Sequence, residues 1–275
     1  MRWVYLDNAT TTPLLPEVHQ AMLPYLGEVF GNPSSLHDWG DTARQAVEAA
    51  RVQVAQLIGA SAEEIIFTGS GTESNNLAIK GLALAQQHKG KHVIISAVEH
   101  FSVLHSARTL EKWGFELSLA PVDKYGVVNP LDIQKNLRED TVLVSVMHAN
   151  GEMATIEPIR EIARITKEAN VLFHTDAMAT VGTIPVDVKK LGIDTLSLAG
   201  NQFYGPKGVG ALWVRKGVRI MPLLDGGVQE GGRRAGTENV SAIVGLGKAA
   251  SLAKASMAIR MEHLSRLRDR LLVEL

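Results

Sequence analysis

The chain is 275 residues long, 45% hydrophobic and 21% charged, with a formal net charge of −1, long enough for one large domain or two small ones. Its near-neutral balance and dispersed Lys and Arg lack the basic footprint that a nucleic-acid backbone demands, which argues against DNA or RNA as a partner. It contains no cysteine, so disulfides, thiolate metal ligands and a persulfide are excluded within this chain, and no metal site is expected.

Helical and strand patterns alternate, which predicts an α/β protein with a mainly parallel sheet. Ala43, Val47, Ala50, Val54, Leu57 and Ile58 recur at helical spacing, and Gly59 follows as a stop signal. A strand over residues 64–68 runs into Gly69-Ser70-Gly71-Thr72 and a helix over 72–87. A strand over 92–96, a helix over 102–113, a strand over 141–147 and a helix over 158–168 follow, then strands over 171–174, 194–198 and 209–214. These strand segments are short, apolar and rich in branched residues. The Gly-rich run 225–234 reads as a flexible loop on the substrate side. Residues 261–275 read as an amphipathic helix with no cap or stop at its end. No signal core opens the chain and no run approaches the roughly eighteen apolar residues of a membrane helix, so the expectation is a cytoplasmic protein without membrane contact.

The turn at Gly69 to Thr72 leads from a strand into a helix, which points free amide N–H groups and a positive dipole end at one spot. An anion would fit there; a plain tight turn would have the same glycine pattern.

Several stretches together resemble the cysteine desulfurases, in the class-V aminotransferase group of pyridoxal-phosphate enzymes. They are Tyr5 to Pro13 (YLDNATTTP), Gly31 to His37 (GNPSSLH), Phe67 to Asn76 (FTGSGTESNN), Val98-Glu99-His100, His174-Thr175-Asp176-Ala177 and Arg234 to Asn239 (RAGTEN). The resemblance covers the chain from Tyr5 onward and implies a three-layer, fold-type-I pyridoxal-phosphate transferase large domain over residues 1–260, the N-terminal segment 1–15 included. Residues 261–275 would begin a helix leading to a small C-terminal domain, absent here, beside which the family carries its sulfur-accepting cysteine.

By the same resemblance Gly71 and Thr72 match residues that hold the cofactor phosphate, and Thr237 matches a threonine that reaches that phosphate from across a dimer. Asp176 matches the aspartate that pairs with the protonated pyridine nitrogen, which makes the ring an electron sink. His100 matches the histidine that stacks on the ring and moves protons, and Asn150 matches the first asparagine of a cofactor-side Asn-Asn-Glu. Taken singly, Asp176 and His100 would suit an ordinary structural role equally well.

The departures from the family pattern fall in the same pocket. In Ala199 to Gly210 (AGNQFYGPKGVG) the family has Ser-Gly-His-Lys, and Gln202 stands where its lysine forms a Schiff base with the cofactor. An amide nitrogen is not a nucleophile toward an aldehyde, because its lone pair is delocalised into the carbonyl. Asn201 replaces a phosphate-binding histidine, Ala199 a hydroxyl residue on the phosphate, Ala179 a glutamine on the phenolic oxygen, and Gly151 the second asparagine. Each lost neutral hydrogen bond costs roughly 0.5–1.5 kcal/mol, and those to a phosphate roughly 1.5–3. Lys207 matches a lysine already present in the family's Gly-Pro-Lys-Gly and reads as loop support rather than a replacement amine.

Pyridoxal 5′-phosphate is therefore expected to be absent, or bound weakly and non-covalently. Three functions remain open: a catalytically degenerate homodimeric scaffold or regulatory subunit in sulfur transfer or iron–sulfur assembly; a desulfurase completed by a separate chain that supplies the C-terminal domain; and a binding protein for another small anion at the Gly69 to Thr72 turn. A sulfur-acceptor or scaffold protein is the expected partner of the first.

Overall fold

The computed structural model describes residues 3–274 and resolves the alternating pattern into a seven-stranded sheet between helical layers. In chain order the elements are α1 (Pro16–Met22), α2 (Asp38–Ile58), β1 (Ile65–Thr68), α3 (Gly71–Gln86), β2 (His92–Ser96), α4 (Phe101–Glu111), β3 (Glu116–Ala120), α5 (Pro130–Asn136), β4 (Thr141–Ser145), β5 (Ala149–Asn150), β6 (Thr155–Ile156), α6 (Ile159–Glu168), β7 (Leu172–Asp176), α7 (Val188–Leu191), β8 (Thr195–Ala199), β9 (Gly210–Val214) and α8 (Val240–Glu274). The strand order is β1-β9-β8-β7-β4-β2-β3, and β5 pairs with β6 separately. Only β9 runs against its neighbours; the pairings from β8 to β3 are parallel.

Every residue of β1, β2, β4, β8 and β9 is buried, as expected of strands covered on both faces. Alternation along each strand divides the core. Ile65, Phe67, Ile94, Val144 and Leu196 pack with residues of α2, α6 and α8. Val93, Ile95 and Leu143 pack with α3 and α4. The three-layer expectation is met.

Local sequence explains the ends of the helices. His37 caps α2 by accepting from the Gly40 amide, and Gly59 closes it in the left-handed region at φ 71°, donating to the Ala55 carbonyl. The Ser70 side chain caps α3 through the Glu73 amide. α8 crosses α2 closely enough that a Cβ on Gly247 would lie 2.6 Å from the Ala50 Cα.

Three expectations change. The edge strand β3 and the small pair β5–β6 have no counterpart in the sequence reading: β3 is a five-residue edge strand largely open to solvent, and β5 and β6 are two residues each. α8 is continuous from Val240 through residue 260 to Glu274, and by length and composition it could cross a membrane. Its apolar residues Ala242, Ile243, Leu246, Ala249, Ala250 and Ala253 are instead buried in the core against α2, while residues 262–274 are all exposed. The Gly-rich run is anchored at its end rather than free: the Glu230 carboxylate is 7% exposed and accepts from Arg51 Nη1 (2.7 Å), Arg51 Nη2 (2.8 Å) and the Phe67 amide (2.8 Å).

Candidate functional site

β1, β2, β4, β7 and β8 all point their C-terminal ends the same way, the edge at which open α/β sheets hold ligands. The residues leaving those ends are Gly69 to Thr72, Glu99 and His100, Met147 to Asn150, Asp176 to Ala179, and Ala199 to Gln202.

Asp176 closes β7 and is 3% exposed. Its Oδ2 accepts from Asn75 Nδ2 at 2.7 Å and its Oδ1 from the Met178 amide at 3.0 Å. Burial pushes its pKa up, against these two hydrogen bonds and the nearby His100. Asn75, one turn into α3, is the hub. Its second Nδ2 proton goes to Ser102 Oγ (2.8 Å), and its Oδ1 lies 3.3 Å from His174 Nε2. Ser102 Oγ in turn lies 2.7 Å from His100 Nδ1, which also accepts the Ser102 backbone N–H at 3.1 Å. A nitrogen that accepts a backbone N–H carries no proton, so neutral His100 holds its proton on Nε2. Asp176 and His100 are thereby joined through Asn75 and Ser102, with His100 itself exposed at the start of α4.

Glu99 lies beside this network, fully buried. Burial, with Asp176 and Glu157 adding repulsion, pushes its carboxyl up to about 8, although Ser96 Oγ (2.9 Å) and the Met147 amide (2.8 Å) both donate to Oε1. Its Oε2 has no partner, which makes it the oxygen that carries the proton.

At the anion turn, Glu73 Oε2 accepts the Gly69 amide at 2.7 Å and Arg234 Nε donates to Glu73 Oε1 at 2.8 Å, tying residue 234 to the start of α3. The amides of Gly71 and Thr72 donate to no acceptor among the described residues. Thr237 is exposed.

Gln202 ends a 3-10 turn directly after β8 and donates from Nε2 to the Thr10 carbonyl at 3.1 Å. Asn201 Nδ2 reaches Thr11 Oγ1 at 3.3 Å, the Asn201 carbonyl accepts from both the amide (2.8 Å) and the hydroxyl (2.9 Å) of Thr12, and the Tyr204 amide donates to Thr12 Oγ1 at 2.6 Å. The N-terminal segment is thus laced to the loop in which the family keeps its lysine. Asn150 is consumed locally: Oδ1 accepts the amides of Glu152 (2.9 Å) and Met153 (3.0 Å), and Nδ2 donates to the Val98 carbonyl (3.2 Å). Lys207 is exposed. No cluster of His, Asp and Glu among the described residues could hold a metal.

Tested against pyridoxal phosphate, the two ends of the group fare differently. A buried carboxylate with no cationic side chain bonded to it suits a protonated pyridine nitrogen, and two unpartnered amides suit a phosphate. The aldehyde end finds an amide at Gln202 and no amine. Asn75, Ser102 and Glu99 were not singled out from sequence; Asn75 and Glu99 do fall inside matched stretches, and the only signal was a polar residue at a buried helical or strand-end position.

Three comparisons with known proteins agree. The class-V aminotransferase family model matches residues 4–275. A cysteine desulfurase IscS of Dictyoglomus turgidum is 57% identical over 268 residues, covering 98% of this chain and 68% of that protein. A cysteine desulfurase IscS of Methanosarcina thermophila is 55% identical over 269 residues, covering 98% and 67%. Among solved structures, a NifS-like protein superposes with a TM-score of 0.95 at 40% identity, covering 98% of this chain and 74% of that one.

Proposed function

This chain belongs to the class-V aminotransferase family, among IscS- and NifS-like cysteine desulfurase homologues, and from that premise we propose that it is a catalytically degenerate member. It keeps the framework, as a homodimer, and serves as a scaffold or regulatory subunit in sulfur transfer or iron–sulfur assembly. The observation that carries this is Gln202, whose amide is bonded to the Thr10 carbonyl at the position of the family's reactive lysine. Ala199, Ala179 and Gly151 add no polar side chain to the pocket. The relatives are named as enzymes, so the claim is specific to these residues.

When bound, the cofactor supplies an electron sink for the family's chemistry. In this chain Asp176 would hold the ring nitrogen, Asn75 would orient that carboxylate, and Gly71 and Thr72 would hold the phosphate. The residue division stands as part of the proposal: 1–260 as the large domain, with the last part of α8 from residue 261 leading toward a small domain.

A second reading, a desulfurase completed by another chain, is favoured by the intact Asp176–Asn75–Ser102–His100 connection. The degenerate reading is tested by Gln202→Lys. Degeneracy spread over Ala199, Ala179, Gly151 and Asn201 predicts that this single change fails to restore sulfide release from free cysteine. Release at about 1 s⁻¹ or faster, an ordinary enzymatic rate, would show that only the lysine was lost.

A further inference from the structure

We infer that His174 is a positioning residue: its Nε2–H holds the Asn75 carbonyl oxygen, which fixes the Asn75 amide with both N–H protons toward Asp176 and Ser102 and thereby sets the tautomer of His100. Two neighbours independently demand that orientation. An ionised Asp176 carboxylate only accepts, so the Asn75 atom 2.7 Å from its Oδ2 carries a proton. His100 Nδ1 is bare, because it accepts the Ser102 amide. The Ser102 hydroxyl, 2.7 Å away, therefore gives its own proton to that nitrogen and accepts from Asn75 Nδ2 at 2.8 Å. Oδ1 is then the atom left facing His174 Nε2 at 3.3 Å, and a carbonyl oxygen needs a donor. His174 is fully buried and Asn75 is 1% exposed, so bulk solvent supplies none.

His174 and Asp176 sit two residues apart on β7, so both side chains face α3, where Asn75 bridges them. Burial keeps the His174 imidazole neutral, pushed down to about 3, so one ring nitrogen is protonated and the other bare. With the proton on Nε2 for Asn75, Nδ1 accepts from the hydroxyl of Thr195, 2.9 Å away on the neighbouring strand β8. Donation then runs one way, from Thr195 through His174 to Asn75; the opposite His174 tautomer would set the lone pairs of Nε2 and Oδ1 against each other in a buried site, or turn the amide oxygen onto the Asp176 carboxylate. A cationic side chain at this position would stabilise Asp176 by its own charge and compete with a cationic ligand. Neutral His174 transmits hydrogen-bond direction and adds no charge.

This role for His174 rests on reading Asp176 and His100 as the family's cofactor-side pair, but the tautomers belong to the chain itself and are read without cofactor. The experiment is nitrogen NMR of the histidine rings in the whole protein, wild type, His174→Phe and His174→Gln, at about pH 8, above the ordinary imidazole value. In the wild type both His174 and His100 should be in the Nε2–H form. His174→Phe leaves the Asn75 oxygen without its donor, so the Nδ1–H fraction of His100 should rise about tenfold or more, one decade in the tautomer ratio. His174→Gln offers a side-chain N–H in place of Nε2–H and should return His100 to the wild-type pattern, which a merely space-filling role would not require. A wild-type His174 in the Nδ1–H form overturns the inference without any variant. A His100 tautomer unmoved in folded His174→Phe, or displaced as far in His174→Gln as in His174→Phe, overturns it as well. Failure of the degeneracy reading would show instead as a lysine that borohydride fixes to the cofactor, which leaves these tautomers where they are.

Discussion

Glu99 and His174 are both buried beside Asp176's network, and their pKa values are displaced in opposite directions. The Glu99 carboxyl is pushed up to about 8 and the His174 imidazole down to about 3, burial being the largest cause of each. The unfolded chain, at ordinary values, loses the Glu99 proton near pH 4.5 while the folded chain keeps it, so stability falls as pH rises from there to about 8. The unfolded chain gains a proton on His174 below about pH 6.5 that the folded chain refuses, so stability also falls as pH drops toward 3. The two slopes cancel between these onsets, and a plateau of maximal stability lies there. Glu99→Gln should remove the alkaline decline, raising stability at pH 9 by on the order of a few kcal/mol while leaving the acid limb in place. Denaturant melts at pH 5, 7 and 9 check this; a variant that tracks the wild type at every pH would mean that Glu99 is ionised in the fold without cost. At this scale the sequence was informative about Asp176, Gly71, Thr72 and Gln202 through motif, and silent about Asn75, Ser102 and Met178. Their roles depend on which strand ends meet, which no local pattern encodes.

Elements were legible where burial was complete. The strands that became β1, β2, β4, β7, β8 and β9 are apolar runs because helices cover both faces, and their bounds shift by only a residue or two. β3 was not, since an edge strand with Glu116, Ser118 and Leu119 turned partly to solvent has no continuous apolar run, and its Glu116-Leu117-Ser118-Leu119 alternation is only four residues long. α8 was read only in its exposed last part; the buried stripe of its first half, Ala242, Ile243, Leu246, Ala249, Ala250 and Ala253, is mostly small residues that allow close approach to α2 and stand out little from the apolar residues around them. Gly247 makes that approach possible, since an added Cβ would lie 2.6 Å from the Ala50 Cα, and Gly245 does the same against α1, where a Cβ would lie 2.7 Å from the Met22 sulfur. Gly247→Val should therefore overpack the α2–α8 crossing and destabilise the protein by about 1–3 kcal/mol, seen as a lower denaturation midpoint at unchanged slope. No loss of stability would contradict the tight crossing.

For the whole molecule, the proposed loss of the amine leaves a well-packed framework to be explained, and a homodimer is the proposed reason for keeping it. Phe30, Leu36 and Trp39 are 74%, 100% and 57% exposed, with the Phe30 and Trp39 rings 5.1 Å apart. Apolar side chains gathered on one stretch of surface suit an interface. Light scattering at low micromolar concentration should give the mass of two chains, and a mass of one chain would leave the scaffold reading without its main support. The central claim, that Gln202 leaves this chain with no amine for the cofactor, is tested most directly by borohydride reduction of the purified protein followed by peptide mass spectrometry. The expected result is no phosphopyridoxyl group on any lysine; such a group on any of them, Lys207 included, would contradict the claim.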